Sequence, residues 1–564
     1  GNASSTGLLT ITGPGASTLT ISGDNGNASR NFNIFNIGSG ADFTVSGVTV
    51  SGAKTTGNGG AFSSNSGILT VTDAVITNNT ANSGAGIYGN SGTLTVSNTS
   101  ITGNTSTGNG GGIFNFGRYG NSGPVKITNT TISGNNAVTG GGISNTAPSI
   151  TITGSTITGN TASSNGGGIN NDGRYGLAGP MTITNTTISG NNATGLGGGI
   201  NTVGVVSITG STIQNNVAGG SGGGIRNDSR YGVSSPAFSI DSTNLSNNTS
   251  KDSGGAISNA GPLTINNSDS SGNTATNNGG GINNDSRYGN SGTFIVTNTT
   301  ISGNAASNGG GVRNGGPIDF SNTTISGNSA SNNGGGVFND SRYGNGGIQT
   351  LTNVTIAGNS ANSSGGAFYN VGGTVKIYNS ILGNSTKGVD YAGAQPSNSS
   401  NNLITSGTMS GSTTVTTTQL NLGPLQNNGG TTFSIALGAG SSAIGAGNAT
   451  ISNAAPVNGL DQRGVSRSAT IPSIGAFEYV PPVASKIGLT TNAAGIVNGL
   501  PFTTQPVITL QDSFGSTAAN NNSSVTMTVS NGATTLGTTT INAINGVATF
   551  TDVGINGSVG TTYT

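Results

Sequence analysis

Short runs that alternate β-branched apolar with small polar residues recur along this chain, each bounded by Gly or Asn. In residues 181–201, MTITNTTISGNNATGLGGGIN, Met181 to Ile188 alternates as a strand does. Ile183 and Ile188 both face inward if the chain bends at Asn185. Gly190 turns the chain, and Gly197, Gly198 and Gly199 turn it again into a short strand holding Ile200. The apolar residue closing each Gly-rich turn recurs at Phe62, Ile87, Ile113, Ile143, Ile169, Ile200, Ile225, Ile257, Ile282, Val312, Val337 and Phe368, in steps of 25 to 32 residues. Units so short cannot bury a face alone and must stack on their neighbours. Their Thr, Ser, Asn, Gly, Ile and Val content, almost free of Ala-Leu-Glu-Lys runs, excludes helical repeats. The pattern predicts an all-β chain: a right-handed parallel β-helix of about 14 rungs over residues 1–425, with two or three short strands per rung.

Asparagine recurs in register. Asn104, Asn135, Asn160, Asn191, Asn273, Asn304, Asn328, Asn359 and Asn384 follow one turn; Asn115, Asn145, Asn171, Asn227, Asn259, Asn284, Asn314, Asn339 and Asn370 stand two residues past the apolar marker. Stacked identical amides form hydrogen-bonded ladders that satisfy polar groups inside a coil, so the second row is expected to be a structural ladder. Gripping sugar is the alternative use.

The GGGIxN and GGAIxN phrases, as in Gly254-Gly255-Ala256-Ile257-Ser258-Asn259, resemble the GGA[ILV] repeats of the polymorphic outer-membrane proteins of chlamydiae. FNFG at Phe114–Gly117 loosely resembles their second motif. The resemblance covers about residues 40 to 400 and implies a β-helical surface adhesin.

The steps roughly alternate in length, and most long ones hold an insertion: FGRYG at Phe116, DGRYG at Asp172, and DSRYG at Asp228, Asp285 and Asp340. The unit is therefore a two-rung pair with one protruding loop. Arg118, Tyr119, Arg174, Tyr175, Arg230, Tyr231, Arg287, Tyr288, Arg342 and Tyr343 are expected to form one straight ridge, with the four aspartates in salt-bridge reach. Three roles are open: a stacked buttress, a contact face, since Tyr and Arg favour binding hot spots, and a sugar groove.

Charge adds little. Only 6% of residues are charged, 16 basic against 16 acidic, with no basic stripe to follow a phosphate backbone. No apolar run is long enough to span a membrane. His and Cys are absent, which removes Ser-His-Asp chemistry, His and thiolate metal sites and any disulfide framework, and no cofactor is expected. Glycoside hydrolysis needs two carboxyl groups across the bond and lyase chemistry a carboxylate cluster with a base. Here Asp172, Asp228, Asp285 and Asp340 form one repeated row, and Asp73, Asp241, Asp252, Asp269 and Asp319 are scattered.

Past Asn402 the phrase fades. LGPLQNNGG, SSAIGAGN, Asp461-Gln462-Arg463-Gly464 and Gly475-Ala476-Phe477-Glu478-Tyr479 resemble the choice-of-anchor tail of bacterial β-helix surface proteins. Residues 426–483 are expected to cap the open end of the coil. A catalytic Asp461–Glu478 pair is the sharper alternative. PPVAS is a linker, and the alternating strands of residues 484–564 resemble bacterial immunoglobulin-like modules, with the last strand missing. Gly1 starts directly in repeat-like text, so both ends read as cut, or as completed by another copy through strand addition from residues 1–22. The expected function is a non-enzymatic, secreted or cell-surface bacterial scaffold or adhesin. It would assemble into filaments or bind other copies of itself or surface and matrix glycans, without nucleic acid. The alternative is a carbohydrate-active β-helix enzyme, a polysaccharide lyase or hydrolase.

Overall fold

The computed structural model describes residues 7–23, 31–117, 123–146, 149–172, 180–228, 238–285, 293–340, 348–481, 483–495, 497–512, 515–519, 521–558 and 560–563. The contacts divide the chain into two compact units, Gly1–Leu437 with Ser441–Glu478, and Gly438–Gly440 with Tyr479–Thr564.

The first unit is a parallel β-helix. A rung passes through up to four sheets in turn, of 14, 15, 16 and 11 strands, here called I to IV; the first and last rungs lack the fourth. In one rung the strands are Ile169–Asp172, Met181–Thr184, Thr187–Ser189 and Asn192–Ala193. Every pairing within these sheets is parallel and in register, as where Ile157 faces Ile188 and Ile188 faces Ile213 on sheet III. Alternation sends isoleucine inward and threonine outward. Sheet IV exceeds the two or three strands expected, because its two-residue strands are too short to leave a periodic signal.

Sheet II bends into sheet III through one residue in left-handed conformation. Asn98, Asn129, Asn185, Asn298, Asn322, Asn353 and Asn379 occupy it with φ of 45° to 53°. Asparagine tolerates this region better than most residues. The Gly-rich corner before sheet I is set by contact. A Cβ on Gly197, at φ 64°, would lie 2.4 Å from the Ile200 carbonyl oxygen, and one on Gly198 2.4 Å from that of Gly223 in the next rung. Backbones stack at the rung spacing there, leaving no room for a side chain at these two glycines, although Ala85 holds the middle position in another rung. The enclosed core is one continuous column from Ile37 to Met409. Burying each isoleucine contributes about 1.5–3 kcal/mol.

Residues 426–437 and 441–478 pack along the flank of the coil. Asn379 Nδ2 donates to the Asn448 carbonyl, Ser452 Oγ to Asn353 Oδ1, Arg467 to Asn322 Oδ1 and Thr432 Oγ1 to the Asn298 carbonyl. The asparagines of four successive left-handed bends thus receive this segment. The second unit is built of short antiparallel strands, with Val507–Gln511 between Lys486–Thr491 and Val547–Thr549, over a small core of Leu510, Ala543 and Ala548.

Candidate functional site

Asparagines satisfy one another inside the coil at two corners. At the III-to-IV corner Asn79, Asn104, Asn135, Asn160, Asn191, Asn216, Asn248, Asn273, Asn304, Asn328 and Asn359 form an unbroken chain, each Nδ2 donating to the next Oδ1 at 2.9–3.0 Å. Each Oδ1 from Asn104 onward also accepts the preceding asparagine's backbone N–H, as in Asn160 N–H to Asn191 Oδ1 at 3.0 Å. Each Nδ2 also donates to a core-strand carbonyl, as in Asn191 to Ile157 at 2.9 Å. None of the eleven is more than 1% exposed. Asn79, Asn216 and Asn248 are hidden in the sequence because their rungs read ITNN, IQNN and LSNN, with Asn where the other rungs carry Gly. Asn384 leaves the row: the chain is left-handed there (φ 54°) and its backbone N–H donates to Thr405 instead.

The row singled out from sequence runs in segments at the end of sheet I. Asn115 donates to Asn145 and Asn145 to Asn171, which donates to Thr202. Asn227, Asn259, Asn284 and Asn314 form a second run, and Asn339 with Asn370 a third. Thr202 stands where an asparagine is missing, and Asn314 turns to the Gly316 carbonyl.

The Arg-Tyr ridge, Arg118/Tyr119, Arg174/Tyr175, Arg230/Tyr231, Arg287/Tyr288 and Arg342/Tyr343, lies outside the described residues. Its loop roots do not. Asp228 lies 3.1 Å from the guanidinium of Arg226, and Arg313 lies 3.8 Å from both Asp285 and Asp340. Arg226 and Arg313 are sheet I residues only 6% exposed, which sequence reasoning missed because the outward position they share is Tyr88, Phe114, Ser144 or Asn170 in other rungs. Arg313 sits in a short rung and ties the roots of the loops on either side of it. Buried pairs of this kind cost several kcal/mol to break by removing one partner.

Beside these arginines lies a polar hollow of about 310 Å3, lined by Arg226, Asp252, Ser258, Asn283, Asp285 and Arg313 among others. Burial tends to raise the Asp252 pKa. Hydrogen bonds from Ser221, Asn277 and Ser253, with the Arg226 charge, outweigh it and hold the carboxyl below its usual range. Among the described residues no three His, Cys, Asp or Glu side chains are grouped as a metal site requires. Asp269 on sheet III is pushed up to about 6 by burial against a weaker opposing hydrogen bond from Thr300.

The Asp461–Glu478 pair is buried in a clasp. Arg463 reaches Asp461 at 2.7 Å and lies 3.6 Å over the Phe477 ring. The backbone N–H of Glu478 donates to Asp461 at 2.9 Å. Arg467 lies 3.5 Å from Glu478, whose carboxylate also accepts from Ser468 and Ser473 N–H. Burial pulls Arg467 down to about 10 despite Asp461 and Glu478, so it stays cationic at neutral pH. Gln462 projects from this clasp onto sheet III, donating to Thr300 Oγ1 at 3.1 Å and accepting from Thr324 Oγ1 at 2.6 Å. Both carboxylates thus organise a docking surface.

These features define a parallel β-helix whose recurrent polar residues bind each other. No family model and no curated protein matches the chain. Among solved structures it is similar to the crystal structure of pectate lyase Pel9A, at 14% identity and a TM-score of 0.32, over 69% of this chain and 88% of that one. A superposition that loose carries no argument about activity.

Proposed function

We propose that this chain is a non-enzymatic extracellular scaffold or adhesin, secreted or held at a bacterial surface, in which a rigid β-helix presents contact residues to other copies or to glycans. The observation that carries this reading is the eleven-asparagine ladder. It binds the recurrent amides to one another and to the core strands, as a rod held rigid along its length requires. The clasp supports it too, since Asp461 and Glu478, the sharpest catalytic candidates, are engaged by Arg463, Arg467 and backbone amides. On this reading residues 426–483 are a choice-of-anchor-like tail and residues 484–564 an immunoglobulin-like module of the kind strung along surface proteins.

A carbohydrate-active enzyme is the second reading. The hollow beside Arg226 and Arg313 favours it, because Asp252 and Asp285 line it together with guanidinium groups.

The adhesive reading places the contact residues on the Arg-Tyr loops. Replacing Tyr119, Tyr175, Tyr231, Tyr288 and Tyr343 with Ser is expected to weaken bundling in electron micrographs, or retention on cell-surface glycans, more than it lowers Tm. The reverse order makes the loops a buttress only and removes them as the contact face.

A further inference from the structure

Sheet III offers a surface that the ladder does not use. Over the strands Ser100–Thr102, Thr131–Ser133, Thr156–Thr158, Thr187–Ser189 and Thr212–Gln214, every outward position except Gln214 is Thr or Ser. The central residue of each strand is a buried isoleucine, so the flanking hydroxyls face outward in pairs. Register is strict: Thr131 faces Thr156, Thr156 faces Thr187 and Thr187 faces Thr212. Parallel pairing spaces the rows about 4.8 Å apart, and alternate residues on a strand lie about 6.6 Å apart, giving a two-dimensional mesh of hydroxyls.

The mesh is stiff. Threonine is restricted at χ1, and Ser133 and Ser189 link neighbouring rows by donating to Thr102 Oγ1 at 3.3 Å and to Thr158 Oγ1 at 3.1 Å. Beneath its edge runs the ladder from Asn104 through Asn216. The same sheet is already an interface further along, where the tail's Gln462 meets Thr300 and Thr324 and the Ala476 N–H meets Thr355 Oγ1.

The chemistry of the open part selects its occupant. These strands carry no charge, which disfavours nucleic acid and anionic surfaces. They present no aromatic ring to stack on a sugar and no apolar anchor of the kind that dominates protein interfaces. A neutral, rigid, flat hydroxyl mesh suits a neutral hydrogen-bonding lattice, and its spacings are near those of water oxygens on a prism face of hexagonal ice. We propose that the outward face of sheet III between Ser100 and Gln214 binds the surface of ice. Waters held by the hydroxyls stand where lattice waters stand, and the rigid backbone has little ordering left to lose on binding.

The test freezes a dilute solution of the full chain slowly and measures the fraction taken into the ice, alongside inhibition of ice recrystallisation. The wild-type chain is expected to enter the ice. Thr156→Lys with Thr187→Lys should lower that partition by about ten-fold, while Thr161→Lys, on the exposed side of sheet IV, should leave it unchanged. Thr156→Tyr with Thr187→Tyr keeps high β propensity and tests the same point should the lysine pair fail to fold. Wild-type chain left in the liquid overturns the proposal, and so does a folded double variant that enters ice as well as wild type. Retention on microcrystalline cellulose without ice uptake overturns it as well, assigning the face to a glycan.

Discussion

Removing one rung of the asparagine ladder tests how much of the rod depends on it. Asn191 lies mid-ladder and is fully buried, while Asn192 beside it is exposed. Its Oδ1 accepts from the N–H and the Nδ2 of Asn160, each at 3.0 Å, and its Nδ2 donates to the Ile157 carbonyl and Asn216 Oδ1. Asn191→Ala therefore strands two donors on Asn160 and removes a donor from Ile157. At about 1–3 kcal/mol for each buried group left unsatisfied, with some relaxation, the loss should be about 3–6 kcal/mol. Asn191→Asp should cost more at pH 7 than at pH 4, because a carboxylate then faces the Asn216 and Ile157 oxygens. A solenoid need not unfold in one step, so the assay is local: amide hydrogen exchange around Asn160 and Asn216 beside urea unfolding. Exchange at the Asn160 amide should accelerate strongly in Asn191→Ala and stay at the wild-type rate in Asn192→Ala. Equal exchange in the two variants refutes the reasoning.

Other residues give expectations of different sign. Asp269, with its pKa raised to about 6 against about 3.9 unfolded, stabilises the fold only while protonated. Stability should fall as pH rises from about 4 to 6, and Asp269→Asn should remove that slope and add about 1–2 kcal/mol at pH 7 in thermal melts. Arg313→Met leaves Asp285 and Asp340 without the cation between them, so it should cost about 3–5 kcal/mol, read in thermal melts. Gln462→Ala removes the tail's contacts with Thr300 and Thr324 and should cost about 2–4 kcal/mol of docking, read as faster proteolysis within residues 426–478.

The coil was legible because its period is written in side chains that must repeat. Ile188 and its counterparts have to face inward in every rung, and Gly198 admits no Cβ. The bend at Asn185 was legible from alternation that only a turn reconciles, and it carries φ of 48°. The fourth sheet was not, since a dipeptide such as Asn192–Ala193 has no period. Asn216 and Asn248 were missed because the corner constrains only the amide, leaving the preceding residues free to drift. Arg226 and Arg313 were missed for a related reason: outward positions on sheet I need not repeat, and ion pairs across rungs leave no local mark. The site of tail docking was out of reach, because Gln462 meets partners 138 and 162 residues away. The clasp residues themselves stood out as a motif, but geometry was needed to show Asp461 and Glu478 held by arginines and amides.

The claim that the polar residues of this chain serve structure and contact is tested most directly by turnover. Purified chain incubated with polygalacturonate, alginate and mixed plant and microbial glycans should release no new reducing or unsaturated ends above a heat-denatured control. Release abolished by Asp252→Asn or Asp285→Asn in a chain that still folds would contradict the account and make the hollow beside Arg226 and Arg313 an active site.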